Sequence, residues 1–428
     1  MAALVTRPAM AHRRCGWWRH RWLRVLASAV WLATAAPGLA GAAAPPPGTV
    51  LALEARAELS AAAINAAVGG RFRADGETAP RARTGVTQYL LRYATTAPDG
   101  GPAEAMAQLL VPHAAPDDAL LAFAPGSTGL DARCGPTATW LATGRVETYG
   151  ATALAYAGQG LPTVLPDYLA SAGGSDLQPY FVAMAEATVV LDALRAALRA
   201  LHGVAPQVTV THAFVAGFSQ GGHAALAAAD RAAVYARDLP LAGVVGFGPS
   251  SDLDTLFRHF AYTAPWVVRA FQEVYPGELD AADVLAEPYL ARLDHDVRRM
   301  CVLQAQASYP ADPATLFTPA FHQALIAGTL AHDFPTWREA FDRNDVGLRP
   351  HGLPVAVFQG VDDPIVPLPA QDALVARLCE LGSPVRYANY LRTRHETRYI
   401  GFADALAWMR ALAAGAPPPD DCPEVLTP

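Results

Sequence analysis

Six consecutive residues, Gly217-Phe218-Ser219-Gln220-Gly221-Gly222, carry the strongest chemical signal in the chain. An apolar run ending in Phe214-Val215-Ala216 precedes them, and an alanine-rich stretch from Ala224 to Ala233 follows. Strand, tight turn and helix in that order describe a nucleophile elbow, which holds a serine in strained backbone with its hydroxyl presented above the sheet. Glycines at 217 and 221 let neighbouring backbone pass close to Ser219. The amino terminus of the following helix offers partial positive charge to a developing oxyanion. A serine hydroxyl alone is a weak nucleophile; it needs a base, and the base needs an acid to orient it. On a sheet of this kind the chain order is serine, acid, histidine.

The acid is expected in Phe358-Gln359-Gly360-Val361-Asp362-Asp363-Pro364-Ile365-Val366-Pro367, a loop leaving an apolar run. Asp363, next to the stiff Pro-Ile-Val-Pro segment, is preferred to Asp362, and Asp252 is a rival after an earlier strand. His395 follows the last apolar run and precedes a helical pattern from Phe402 to Leu412, the position from which a base reaches back to Ser219. His223 lies too close to the serine in sequence and is expected to point along its helix; His212, His322, His332 and His351 fall in a strand or in a later insertion. An oxyanion hole needs two backbone donors. Gln220 is expected to give one, and the glycine-rich Ala124-Pro125-Gly126-Ser127-Thr128-Gly129 the other, at Thr128 or Gly129, with the Thr128 hydroxyl as a further donor.

These residues must be held by a framework, and its period is readable. Short apolar runs at Val86–Tyr93, Met106–Val111, Ala119–Phe123, Leu161–Leu165, Val208–Ala216, Leu241–Phe247, Val355–Gln359 and Val385–Tyr390 alternate with helical patterns. That is a mostly parallel central sheet with helices on both faces, an α/β fold of the α/β-hydrolase type. Before it, Ser60 is expected to cap a short helix ending at Val68, where Gly69-Gly70 would stop it. Met184, Ala187, Leu191, Leu194 and Leu198 recur at helical spacing within Phe181–His202, which is core packing. Residues 251–350 interrupt the sheet pattern with aromatic-rich helical stretches, including one expected from Tyr289 to Gln306, and read as a helical cap. The division is then 1–44 signal peptide, 45–250 and 351–413 core, 251–350 cap, and 414–428 a tail, extended and held only through Cys422.

Composition excludes several classes. Hydrophobic residues make up 52% and charged ones 17%, enough apolar material for a large core. Every one of the 32 basic residues is arginine, so a Walker-type phosphate loop, a Schiff base and a Ser-Lys dyad are excluded. The formal charge is -7, and the first fifty residues hold six arginines and no acid. Without them 26 basic residues face 39 acidic ones, which argues against nucleic acid as a partner. The apolar run Val25 to Ala36 follows that basic stretch and precedes small residues near Ala40 to Ala44, the pattern of a cleaved export signal. It falls short of the roughly twenty residues a spanning helix needs, so no membrane span is expected after its removal. Export suits oxidised cysteines: Cys134, Cys301, Cys379 and Cys422 remain, with three possible pairings. No cysteine or histidine spacing suggests a metal, and no cofactor is expected.

Taken together, Pro125-Gly126-Ser127-Thr128-Gly129, Cys134-Gly135-Pro136-Thr137, Pro166-Asp167-Tyr168, Gly217–Gly222, Gly360–Pro367 and His395 resemble the Candida lipase A-like secretory lipase family over roughly Gly85 to Cys422. The resemblance implies an α/β-hydrolase core with a helical cap, hydrolysis of acyl esters, and disulfides Cys134–Cys301 and Cys379–Cys422. The chain departs from the pattern of bacterial members at Pro125, where they usually carry His, and at Cys134-Gly135-Pro136-Thr137, where they carry Cys-Ala-Pro-Ser.

The expected function is a secreted or periplasmic lipase or esterase acting on an acyl ester or lipid through an acyl-enzyme. The aromatic-rich cap suits an apolar acyl group. Two other readings stand beside it: an exopeptidase on the same triad, with Glu273, Glu278 or Asp280 holding an ammonium, and a catalytically silent binding protein on this scaffold. Oligomeric state is left open.

Overall fold

The computed structural model describes residues 44–114, 117–170 and 177–426. The expected signal peptide, apart from Ala44, lies outside them. Nine strands form one sheet: β1 (Val50–Leu59), β2 (Val86–Thr96), β3 (Pro102–Pro112), β4 (Ala119–Ala124), β5 (Thr163–Pro166), β6 (His212–Phe218), β7 (Leu241–Phe247), β8 (Val355–Gly360) and β9 (Val385–Tyr390). Their order across the sheet is β1-β2-β3-β5-β4-β6-β7-β8-β9. The first four in that order pair antiparallel, and β5 through β9 run parallel. This is the mostly parallel α/β-hydrolase sheet, with helices on both faces.

Alternation along β6 shows why both faces are covered. Phe214, Ala216 and Phe218 enter one apolar cluster, with helices α1 (Ala61–Ala74) and α3 (Thr148–Gly158) and the Phe402–Ala413 helix. Ala213 and Val215 enter the other, with α4 (Ala183–Val204) and α5 (Gln220–Tyr235). A strand buried on both sides reads as a continuous apolar run. α2 (Pro136–Thr143) precedes α3, and α3 leads into β5.

Several local expectations are corrected. β1 was not expected: VLALEARAEL has the composition of a helix, yet antiparallel pairing with β2 draws it into the sheet. α1 is capped by Ser60 but continues past Gly69-Gly70 to Ala74, because Ile64, Val68 and Phe72 bury one stripe on both sides of the glycines. β6 begins at His212, since Val208 closes a turn onto Ala205 and its apolar side chain is buried outside the sheet. The tail is held by more than Cys422: Asp420 and Asp421 accept from the amides of Val385 and Tyr387, and Cys422–Val425 is helical.

Between β7 and β8 the sheet is interrupted by helices alone. The expected helix from Tyr289 to Gln306 is three short ones, Glu287–Leu290, Leu293–Val297 and Val302–Ser308. Its break coincides with Cys301, which bridges backbone to Gly129 and is disulfide-bonded to Cys134. Cys379 pairs with Cys422. Most insertion aromatics serve its own core: Phe257 packs on Phe317, Phe321 and Phe341, while Trp266 and Trp337 are fully buried. No helix among the described residues is long and apolar enough to cross a membrane.

Candidate active site

Ser219 stands between β6 and α5 with φ 56° and ψ -115°, a conformation that costs a non-glycine residue roughly 1–3 kcal/mol. The adjoining glycines explain how the chain reaches it. A Cβ on Gly217 would lie 1.9 Å from the Gly221 carbonyl oxygen, and one on Gly221 would lie 2.0 Å from that of Ala124. Neither position admits a side chain. The turn is buttressed from β7, where the Ser219 amide donates to the Phe247 carbonyl at 3.0 Å.

His395 lies in the loop after β9, its ring 4.8 Å from that of Phe218, next to the serine. Its Nδ1 donates to Asp363 Oδ2 at 2.7 Å, and both residues are buried. Asp363 Oδ1 accepts from the amides of Ile365 and Val366, and Gln359 Nε2 donates to Oδ2 at 3.3 Å. The neighbouring Asp362 is exposed. Asp252 caps the Leu253–His259 helix through the Thr255 amide. His395 Nε2 is buried without a partner among the described residues, a free acceptor on the wall of the same cleft that Ser219 lines. The arrangement can deprotonate a hydroxyl.

That cleft has a volume of about 760 Å³. Phe218, Phe260, Tyr262, Val302 and Ile365 give it an apolar lining, and Asp75, Glu77, Arg392, Arg394 and Glu396 a charged one. Of the loop expected to face the oxyanion, Ser127 is the residue on the cleft wall; Thr128 and Gly129 line a separate small crevice with Asp167 and Gln178. The Thr128 carbonyl accepts from the Val302 amide, so the insertion fixes this loop directly. The Ser127 hydroxyl shares a hydrogen bond with Tyr180 at 2.6 Å. The amides of Ser127 and Thr128 have no acceptor among the described residues.

Three features were not legible beforehand. Arg398 is fully buried, with its guanidinium 4.2 Å from the Phe218 ring centre and 2.5 Å from Glu396, so it backs the ring that supports His395. The pattern Glu396-Thr397-Arg398 carries no signal of burial. His223 is buried and bridges two segments: Nδ1 donates to Glu186 at 2.6 Å and Nε2 to the Asn344 carbonyl at 2.7 Å. Burial opposes charge on this ring, but the Glu186 carboxylate outweighs it and raises the pKa above the usual range. Asp230 in turn accepts three amides, those of Gly347, Leu348 and Arg349, where the insertion rejoins the core.

Asp167, in the Pro-Asp-Tyr segment after β5, accepts from the Thr137 amide at 3.0 Å, and burial pushes its carboxyl up to about 7. The unfolded chain ionises this group near 3.8, so the folded state holds the proton more tightly. Its contribution to stability is therefore greatest below pH 3.8, declines as pH rises toward 7, and is flat above. An Asp167→Asn variant keeps the acceptor for Thr137 and loses the titration. Thermal melts should show it gaining on the wild type from pH 4 to pH 7 and holding that advantage at pH 8; parallel melting curves across pH would contradict the assignment.

Comparison with known proteins identifies the family. A family model for secretory lipases matches residues 143–421. The chain is 25% identical over 352 residues to a protein of Mycobacterium tuberculosis named a probable inactive lipase, covering 78% of this chain and 75% of that one. It is 24% identical over 344 residues to a trichothecene C-3 esterase of Fusarium sporotrichioides, covering 75% and 74%. Among solved structures, the rice cell wall degrading esterase LipA of Xanthomonas oryzae superposes with a TM-score of 0.68 at 21% identity, over 86% of this chain and 97% of that one. Candida antarctica lipase A does so at 0.64 and 18%, over 88% and 84%. The elbow, the sheet order and the family match converge on one assignment: the chain belongs to the secretory lipase family.

Proposed function

We propose that this protein is a secreted carboxylic ester hydrolase with Ser219 as nucleophile, His395 as general base and acid, and Asp363 as the residue that orients the imidazole. One observation carries the proposal: the buried Asp363–His395 hydrogen bond leaves Nε2 unpartnered on the cleft that also holds the strained Ser219. The serine hydroxyl attacks the ester carbonyl and passes its proton to Nε2. The amide of Gln220 and the Ser127–Thr128 turn hydrogen-bond the tetrahedral oxyanion. Collapse expels the alcohol, protonated by His395, and water activated by the same ring releases the acid. Secretion is part of the reading, supported by the leader pattern, the two disulfides and the family. The helical insertion is read as the cap that supplies one wall of the cleft.

The cleft composition narrows the substrate. Its apolar lining suits an acyl group, but carboxylates and guanidiniums at Asp75, Glu77, Arg392, Arg394 and Glu396 suit a polar alcohol rather than a lipid phase, where charges are costly. Glu273, Glu278 and Asp280 do not line this cleft; Glu278 pairs with Arg343 and Asp280 caps a short helix, so the ammonium site once expected for a peptidase does not form there. Rates on p-nitrophenyl esters should be highest between butyrate and octanoate and fall toward palmitate. Aminoacyl anilides should be poorer by at least ~100-fold in kcat/KM. Preference for the anilides would overturn the esterase reading, and absence of turnover on every ester would return the chain to the binding-protein reading.

A further inference from the structure

The two proposed oxyanion arms belong to distant segments, Gln220 at the start of α5 and the Ser127–Thr128 turn after β4. Neither local sequence sets the gap between them. A line of buried side chains crosses it. Gln178 Nε2 donates to the Gly129 carbonyl, Gln178 Oε1 accepts from Gln220 Nε2 at 3.2 Å, and Gln220 Nε2 also donates to Glu186 Oε1 at 2.7 Å. The Gln178 amide adds a backbone bond to the Leu130 carbonyl. Gln178, Gln220 and Glu186 are all buried.

The acceptor oxygen at one end sets the direction of every bond in this line. His223 Nε2 donates to the Asn344 carbonyl and Nδ1 shares a hydrogen bond with Glu186 Oε2 at 2.6 Å, which leaves Glu186 Oε1 as an acceptor. That oxygen already takes the Phe181 amide. Gln220 must therefore turn its NH2 toward Glu186. The second hydrogen of that NH2 meets Gln178 Oε1, so the Gln178 NH2 faces Gly129. Gln220 Oε1 is left buried without a partner. A cost of that kind is kept in native structures when the orientation does something.

We propose that the side chains of Gln178 and Gln220 are positioning residues that set the distance between the two oxyanion arms, with Glu186 as their anchor. This rests on the ester-hydrolase reading above. A transition-state donor displaced by about 1 Å can cost on the order of 100-fold in rate. Substrate binding, made largely by the cleft walls, is not touched by the brace.

The test uses Gln178→Leu, Gln220→Leu and the double variant of the full mature chain, each titrated for reactive Ser219 with a fluorophosphonate. On p-nitrophenyl butyrate each single variant should lose roughly 10- to 100-fold in kcat per titrated site, with KM within about twofold. The inhibition constant of a trifluoromethyl ketone, whose adduct carries the oxyanion, should rise by the same factor. The double variant should be no worse than the poorer single, since both cut one link. A purely structural role would lower the titratable fraction and the melting temperature while leaving kcat per site and ketone affinity intact, and that result overturns the proposal. So would losses that multiply in the double variant. Failure of the wild type to label or turn over removes the ester-hydrolase reading itself and this one with it, a result distinct from a fully active wild type with unaffected variants.

Discussion

Ser219→Ala is expected to lower kcat on p-nitrophenyl butyrate by about 10⁵- to 10⁶-fold and to abolish fluorophosphonate labelling, with the melting temperature nearly unchanged. The rate falls because no other hydroxyl shares the position. Ser127 also lines the cleft, but its oxygen is held by Tyr180 at 2.6 Å and the unpartnered nitrogen of His395 has no contact with it. Stability is spared for a separate reason. The strained φ of 56° is imposed by the glycines at 217 and 221, and alanine adopts it at the same cost as serine. Residual turnover should come from the oxyanion donors and binding alone. If the variant kept more than about a hundredth of wild-type kcat, or still labelled at residue 219, another nucleophile would have to be sought.

Asp363→Asn should cost about 10⁴-fold in kcat, and the hydrogen bonds around it say why. Oδ1 receives two backbone N–H groups, from Ile365 at 2.8 Å and Val366 at 3.0 Å. An asparagine must keep its carbonyl oxygen on that side, because an NH2 there would face two donors. Its NH2 then points at His395 Nδ1, which can only accept from it. The neutral ring is forced to carry its proton on Nε2, the nitrogen that must take the serine proton. Base catalysis is lost while the loop keeps its shape. Circular dichroism should therefore be unchanged, and Ser219 should label slowly rather than not at all. A variant with rates within about tenfold of the wild type would show that Asp363 does not orient the base. Asp362→Asn serves as the contrast, since that side chain is exposed and should leave kcat nearly intact.

The difference between these two adjacent aspartates shows where sequence reading reaches its limit. Both sit in one acidic turn after β8, and only burial separates them. The proline-stiffened segment after Asp363 was the available hint, and it mattered because its amides, at Ile365 and Val366, grip the carboxylate. The oxyanion loop had no such hint. Threonine and glycine at 128 and 129 suggested open backbone, but the Cys301 bridge and the Val302 amide tie their backbone to the insertion, and Ser127 is the loop residue that lines the cleft. β1 failed for the opposite reason: its composition favours a helix, and a neighbouring strand edge decided otherwise.

What the sequence determined by itself was the elbow and the period of the sheet. Both are short-range effects: a turn that excludes Cβ atoms at 217 and 221 must be written in glycine, and strands buried on both faces must be written in apolar residues. Tertiary structure alone decided how the Asp363 carboxylate is buried against His395, where Arg398 is buried behind Phe218, and how Gln178, Gln220, Glu186 and His223 join into one line. Those outcomes depend on desolvation and on groups brought together from segments far apart in the chain. A polar residue looks the same in sequence whether it ends in water or in the core; the surrounding fold sets what it can bond.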